Sequence, residues 1–482
     1  MDRSSKLGMV VLCLFALPFA GFGLFALGTA FQQVLSGSGN AQVWLLLLFG
    51  LVFGGIGFGL MFAAIVGSRV LKRQQRAQAE HPAEPWLWRE DWAQGRIQGN
   101  TRSGMIGAWI FAAVWNAVSA PVLVFLPREA AKNPRAYIGL IFPIAGVFLL
   151  VRAIRFTLAY IEFGKTYFEM SPVPGVIGGE LKGTIQARFP HSPDHGVQLH
   201  LSCVNRTVTG TGNSRSTSEH ILWRGESSLS PDQLYPAPTG TAIPVHLKIP
   251  WDARATDTTN PSNAIVWRLE ALADVPGVDY HDVFEVPVFR TQQTPSQPEP
   301  ERAEPAAVSR PQALTAVVTQ TGQGVEFYFP PDRNKSFAAG TTVFLIIFGA
   351  VAIFLGFHAP LIFPIAFGLF ALLLFYITVQ MWFGTTRVGI SGSELLVQDG
   401  YLGGGAVRKF AFAELASIDS RIAGQQGNGT GTPYYDIELH LRSGKKVTLG
   451  RTIRNKQEVD WLIGEMRRLT GLQPNAAAAA TV

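Results

Sequence analysis

The sequence predicts an α-helical membrane protein whose six transmembrane helices are grouped as three hairpins, with two β-rich modules attached. Three observations carry this reading. Six apolar runs, near 8–30, 42–66, 104–127, 136–158, 337–357 and 360–382, come as three close pairs, and each suffices to cross a hydrocarbon core about 30 Å thick, which takes roughly 20 residues. Short alternating runs bounded by Gly, Pro and Asp fill 164–290, the pattern of half-buried strands. A second set of short strands follows 384 and ends in an amphipathic segment at 456–469.

A chain of 482 residues exceeds one hydrophobic core, so a membrane part and at least two soluble modules are expected. Its 33 Phe and 50 Gly suit the apolar runs, where Phe faces lipid and Gly permits close helix packing. The formal charge is +6, but the basic residues cluster beside the helices and form no long stripe, which argues against nucleic acid. Of the two cysteines, Cys13 lies in the first apolar run and Cys203 in a soluble segment. No disulfide between them is expected, and a reducing compartment fits the soluble parts. Arg3 and Lys6 precede the first run, as in a secretory signal, yet that run is longer than a signal core of about 7–15 residues. It is read as an uncleaved helix.

Orientation follows from the basic residues. No charge occurs at 31–41, whereas Arg69, Lys72, Arg73, Arg76, Arg89, Arg96 and Arg102 fall between the second and third runs. The positive-inside rule places that loop in the cytoplasm. The N-terminus, the segment after Arg152 and Arg155 and the C-terminus are then cytoplasmic, and the turns at 128–135 and 358–360 are outside. Arg128, Lys132 and Arg135 on the outside turn run against the rule, but the larger loop outweighs them. Gly50, Gly54, Gly55 and Gly59 in the second run allow a neighbouring helix to approach closely, either within the chain or in a homo-oligomer. Pro18, Pro121, Pro143 and Pro364 are candidate kinks. Ionisable residues are nearly absent at depth, which argues against a proton or ion pathway.

The loop 81–96 is dense in Trp and charge. Trp86, Trp88, Arg89, Trp92 and Arg96 are candidates for membrane-interface or partner contacts, because Trp and Arg near a bilayer anchor at headgroup level. The stretch Pro85, Trp86, Leu87, Trp88, Arg89, Asp91, Trp92 resembles a bacterial family of uncharacterised membrane proteins, catalogued as a domain of unknown function, whose members carry a similar Pro-Trp-Leu-Trp-Arg-x-Asp-Trp loop after a hairpin. The resemblance implies a multi-pass protein of the bacterial inner membrane and no activity.

In the first soluble module, strands are expected at 179–188, 197–204, 220–225, 242–249, 265–273 and 284–289, a spacing that indicates a β-sandwich. The runs 178–183, 243–250 and 267–271 resemble arrestin-type adaptor sandwiches, which implies protein binding. His191, Asp194, His195, His200 and Cys203 have reactive side chains, but Pro190, Pro193 and Gly196 keep His191 and His195 off a shared helix face. A metal site needs three or four convergent ligands, and none is assigned. The Pro- and Glu-rich 291–311 is a linker. A strand pair at 312–336 is expected to rejoin one of the soluble modules.

The last module has strands at 387–390, 394–398, 406–410, 417–421, 434–441 and 446–449, then a helix that Asn455 can cap. This order resembles the pleckstrin-homology-type barrels found beside membrane hairpins in bacteria, and implies a small β-barrel with a C-terminal helix. Arg408, Lys409, Lys445, Lys446, Arg451 and Arg454 are candidate contacts for anionic lipid, each worth about 1 kcal/mol at a membrane surface. Phe163-Gly-Lys-Thr166 mirrors Phe383-Gly-Thr-Thr386, suggesting a repeated plan of hairpin then β module.

The expected domains are hairpins at 1–67, 104–163 and 337–383, a Trp/Arg-rich loop at 68–103, a sandwich at 164–290, a linker at 291–311, a strand pair at 312–336, a barrel at 384–472 and a disordered tail at 473–482. The function expected is a non-enzymatic scaffold or adaptor that binds membrane lipids and a protein partner through cytoplasmic β modules, without a cofactor. A transporter or channel component, and a hydrolase or metal enzyme in the sandwich module, are the alternatives.

Overall fold

The computed structural model describes residues 3–37, 41–189, 193–210, 215–237, 240–296, 310–311, 314–322, 324–331, 333–358, 360–427 and 431–472. The His191 and tail expectations, and most of the linker, lie outside these residues. Two compact units are present, one comprising Met1–Leu201, Ser227–Ile249 and Val266–Thr294, the other Ser202–Glu226, Pro250–Ile265 and Pro295–Val482.

In the first unit, α1 (Arg3–Leu35) and α2 (Ala41–Glu80) form one hairpin. After α3 (Glu90–Ala93) and β1 (Arg96–Gln98), α4 (Thr101–Lys132) and α5 (Ile141–Phe163) form another. Each of the four long helices is long and apolar enough to cross a membrane. At 40 residues α2 measures about 60 Å, twice a hydrocarbon core, so its charged end continues past the span where a loop was expected from 68. The sequence from 68 to 80 holds no Gly or Pro and is rich in Leu, Lys, Arg, Gln and Ala, so nothing stops the helix before Pro82. Pro143 sits in the first turn of α5, where no intrahelical donor is lost. It is not a kink.

Close approach of α1 and α2 rests on missing side chains. A Cβ on Gly23 would lie 2.3 Å from the Gly54 backbone, one on Gly50 would lie 2.5 Å from the Leu27 side chain, and one on Gly57 would lie 2.3 Å from the Ala20 backbone. Gly50 and Gly54 thus serve packing within the hairpin, whereas Gly55 and Gly59 meet nothing within 4 Å. The second hairpin is tied by polar groups: Asn116 Nδ2 donates to the carbonyls of Ala112 and Gly146, Trp109 Nε1 to Thr157 Oγ1 and Trp115 Nε1 to the Phe142 carbonyl.

Sheets follow the helices. In chain order come β2 (Tyr167–Met170), β3 (Gly175–Val176), β4 (Glu180–Ala187), β5 (Val197–Thr209), β6 (Ser216–Leu229), β7 (Tyr235–Ala237), β8 (Gly240–Lys248), β9 (Asn263–Ala273), β10 (Tyr280–Val286) and β11 (Val288–Phe289). They order as β1-β2-β4-β8-β7, β10-β9-β5-β6 and a parallel pair of β11 with β3. Strand β1, contributed by the loop between the first two hairpins, pairs with β2 through Arg96 opposite Glu169 and Gln98 opposite Tyr167. Buried Phe168, Leu181 and Ile185 alternate with less buried residues along β2 and β4, as a half-buried sheet requires, whereas Trp267 and Phe284 lie in runs buried on both faces of β9 and β10.

The second unit holds β12 (Val317–Thr321), β13 (Gly324–Phe329), α6 (Lys335–His358), α7 (Ile362–Phe383), β14 (Gly384–Ser391), β15 (Glu394–Tyr401), β16 (Val407–Ala411), β17 (Leu415–Gln426), β18 (Thr432–Leu441), β19 (Lys446–Ile453) and α8 (Lys456–Thr470). Both α6 and α7 are candidate membrane spans. As in α5, Pro364 falls in the first turn of α7. The sheets order as β12-β13-β14-β15-β16 and β17-β18-β19. The strand pair after the linker therefore belongs to the last module, and the third hairpin is an insertion between two of its neighbouring strands. Phe327, Phe329, Val388, Leu395, Ile437 and Leu449 form the core, which Val459, Leu462 and Met466 of α8 close. Asn455 caps α8 by accepting from the backbone of Gln457 and Glu458. Glu458 is buried and accepts from Thr315 and Ala316, tying the chain ahead of β12 to α8.

Substituting Gly23→Val should push α1 off α2 and cost about 1–3 kcal/mol of hairpin stability, whereas Gly55→Val should be neutral. Thermal unfolding of both variants in neutral detergent checks this; equal midpoints would contradict the packing.

Candidate functional site at the foot of the third hairpin

Each of the two later hairpins grows from a pair of hydrogen-bonded strands, and each exit is sealed the same way. The α5 helix ends at Phe163 and turns at Gly164, whose φ of +70° suits glycine. Thr166 follows, buried, donating to Asp282 of β10. The Asp282 carboxyl also accepts from the backbone of Thr101 at 3.2 Å and of Val283 at 3.0 Å. Burial holds it above the usual carboxylate range in spite of these donors. In the second unit α7 ends at Phe383, and Thr386 donates to Asp399 Oδ1 of β15 at 2.9 Å. Here a cation joins, since Arg451 Nη2 reaches Asp399 Oδ2 at 2.8 Å.

Around this second foot lies a cavity of about 280 Å³, lined by Arg333, Asn334, Tyr376, Gln380, Asp399 and Arg451 among others. At 22 residues α7 is about 33 Å long, and Gln380 and Tyr376 lie about 4 and 10 Å from its C-terminal end, the end that joins the sheets. Arg333 lies between β13 and α6. Its Nη1 is buried with no hydrogen-bond partner among the described residues, and its guanidinium sits over the Phe329 ring, 5.5 Å from the centroid. Burial depresses its pKa, while Asp436, Glu458 and Asp399 pull it back through space. Asn334 Nδ2 donates to the Thr452 carbonyl at 2.7 Å, and the Thr452 backbone N–H donates to Asp436 Oδ1 at 2.8 Å. Thr452 has φ +54°, a conformation costly for a β-branched residue. The two bonds hold it there, and so fix one wall of the cavity.

Of the six residues read from sequence as anionic-lipid contacts, Arg451 lines this cavity, and Gly384, Thr385 and Thr386 of the mirrored exit line it too. Arg408 and Lys409 lie on edge strand β16. Lys445 and Lys446 are exposed at the β18–β19 turn, and five residues of strand, about 16 Å, separate Lys446 from Arg451. Arg454, exposed, follows β19. Arg333 and Asp399 were missed, because an arginine near a membrane helix and an aspartate at a strand end are both ordinary.

The Trp-rich loop is a fastening within the first unit. Trp92 is 3% exposed, so it is no headgroup anchor; it donates from Nε1 to the Glu285 carbonyl at 2.8 Å and meets the Phe289 ring edge-on. Trp86 tilts onto the same Phe289. Arg89 pairs with Asp91 and Glu285 and covers the Trp92 ring at 4.2 Å. Its partner carboxylates raise its pKa against the opposing effect of burial. Trp88 donates to the His81 carbonyl, and Arg96 lies over Tyr167 with Glu169 at 3.5 Å.

No cluster of three or more metal-ligating side chains occurs among the described residues. Asp194 and His195 are exposed. Cys203 is buried with its Sγ 3.8 Å from the Arg254 carbonyl, and burial pushes its thiol pKa up to about 12. Such a thiol is not a nucleophile at neutral pH.

Two outcomes follow. Trp92→Ala should cost about 3–5 kcal/mol, while Trp88→Ala should cost far less; chemical denaturation followed by fluorescence separates them. Because the folded pKa of Asp282 is raised, its contribution to stability is full below the unfolded value near 3.9 and is lost as pH rises through the folded value. The stability of Asp282→Asn relative to wild type should therefore improve as pH is raised from about 4, read as the difference in unfolding midpoint; a pH-independent difference would remove the argument.

No family model and no curated protein matches the chain. Among solved structures it is similar to the crystal structure of Spo0M, a sporulation control protein from Bacillus subtilis, at 11% identity, covering 51% of this chain and 89% of that one with a TM-score of 0.19. A likeness at that level carries no argument. Among the described residues the chain has six helices long and apolar enough to cross a membrane, joined to several β-sheets.

Proposed function

We infer that the chain is a non-enzymatic scaffold or adaptor of a bacterial inner membrane, whose β modules bind protein or lipid at the cytoplasmic surface. The observation that supports this best is the mounting of the modules: α4–α5 is inserted between paired strands β1 and β2, and α6–α7 between paired strands β13 and β14. A module whose neighbouring strands continue into membrane helices is held at the bilayer without a free linker, which suits presentation of a surface. The sheets over 164–290 are read as a sandwich, and the last module as a barrel closed by α8. The Pro85–Trp92 stretch favours kinship with the uncharacterised bacterial membrane family that carries it. Orientation rests on the basic residues from Arg69 to Arg102.

Single cysteines test the side of the membrane. Ser443→Cys in the exposed β18–β19 turn should resist an impermeant maleimide in intact cells and react after permeabilisation, whereas Lys132→Cys should react in both. The buried Cys203 contributes little background. Labelling of Ser443→Cys from outside would overturn the cytoplasmic assignment. Purified from its native membrane in mild detergent, the chain should retain a stoichiometric protein or lipid; absence of both would overturn the adaptor reading.

A further inference from the structure

We propose that the cavity at the foot of the third hairpin is a binding site for a phosphate-bearing anion, held by Arg333 and Arg451 at the depth of lipid headgroups. The inference deepens the lipid-binding half of the proposed function and rests on it for the side of the membrane, but not for the chemistry.

Three independent features point to an anion. The first is Arg333 itself. Its Nη1 is removed from water and bonded to nothing among the described residues, and nearby carboxylates reach it only through space. Burying that nitrogen without an acceptor is costly, and an anion in the cavity that Arg333 lines stabilises the guanidinium charge at close range. Arginine's planar donor array suits phosphate.

The second is the balance of the lining. Arg333 and Arg451 face the cavity with Asp399 as the acidic residue, an excess of one positive charge. Arg451 gives one nitrogen to Asp399 and Asp399 is further occupied by Thr386, so the carboxylate is engaged and Arg451 keeps donors to offer. Tyr376 Oη accepts from Gln380 Nε2 at 3.4 Å, which leaves its own proton for a ligand oxygen. Beside them begins the 24-residue α6 at Lys335, whose positive dipole end favours an anion nearby.

The third is size and place. A volume of about 280 Å³ falls just below the roughly 300–1,000 Å³ of small-molecule pockets, room for a phosphate with a small head but not for acyl chains. Tyr376 and Gln380 belong to a membrane span while Asp399 and Arg451 belong to the sheets. A phospholipid can therefore reach the cavity from the bilayer while its chains stay in hydrocarbon. Free phosphate or a soluble phosphoester shares the same chemistry from the aqueous side.

The full-length chain in neutral detergent would be titrated separately with phosphatidylglycerol, phosphatidylcholine and inorganic phosphate, reading bound adducts by native mass spectrometry and the unfolding midpoint. Phosphatidylglycerol should bind wild type and raise its midpoint, with apparent affinity falling about tenfold in Arg333→Gln and largely kept in Arg333→Lys. Lys248→Gln, exposed at the end of β8 and outside the cavity, should bind as wild type. An equal response to inorganic phosphate, also lost in Arg333→Gln, would support the anion site and assign it to the aqueous source. The ligand-free midpoint of each variant is read alongside, so a variant that fails to fold is recognised separately from one that folds and has lost the lipid. Unchanged lipid binding in Arg333→Gln, equal binding of phosphatidylcholine, or no binding in any arm would overturn the proposal. Outside labelling of Ser443→Cys would instead sink the cytoplasmic assignment and leave this result standing.

Discussion

The antiparallel pairing of the strands that enter and leave a hairpin is the constraint on which the rest of the structure depends. Packed helices stand about 8–10 Å apart, whereas paired strands stand about 4.8 Å apart. The chain has to close that gap within a few residues at the membrane edge, and every backbone group there needs a partner. At the second hairpin Gly99 and Asn100 lead in, and Gly164 to Thr166 lead out, with the Gly99 N–H donating to the Thr166 carbonyl at 3.1 Å. At the third hairpin β14 begins at Gly384, directly after α7, and a Cβ there would lie 2.5 Å from the Gln380 carbonyl. The backbone approach at these feet is too close for larger side chains.

Both feet are sealed by a buried threonine donating to an aspartate on a soluble strand, Thr166 to Asp282 and Thr386 to Asp399. The surroundings then diverge. Asp282 is packed beside buried Tyr280, which stands in turn against Phe163 and Phe189, and burial raises both pKa values. That foot is a closed structural joint. At the other, Arg451 answers Asp399, the Arg333 Nη1 finds no acceptor among the described residues, and a cavity opens beside them. One plan of attachment thus gives a sealed joint in one unit and a polar recess in the other.

Some of this was legible from residue order. Apolar run length identified all six spans, and the repeated Phe-Gly-x-Thr after the fourth and sixth runs pointed to the shared exit, because those residues meet the same local demand. Periodicity gave α8 and its Asn455 cap. Of the Trp-rich loop, read from sequence as membrane-interface or partner contacts, Trp92 is instead buried in the fold, since aromatic and basic residues near a helix end serve a headgroup layer or a sheet edge equally well. What decides between them is Glu285, 193 residues from Trp92, and no local pattern reports a contact at that range. Likewise two glycines of the second run, Gly50 and Gly54, touch α1 while Gly55 and Gly59 do not, because helix rotation is set by the neighbour.

By itself the sequence determined which segments prefer hydrocarbon and which alternate as strands, since hydropathy and period are properties of short windows. Only the tertiary structure decided that the strand pair at 317–329 belongs with strands beyond the third hairpin, that loop residues 96–98 complete a sheet, and that Arg333 is left desolvated beside Arg451 and Asp399. Strand partners and buried charges depend on which distant segments share a surface, and that is settled by closing the chain on itself.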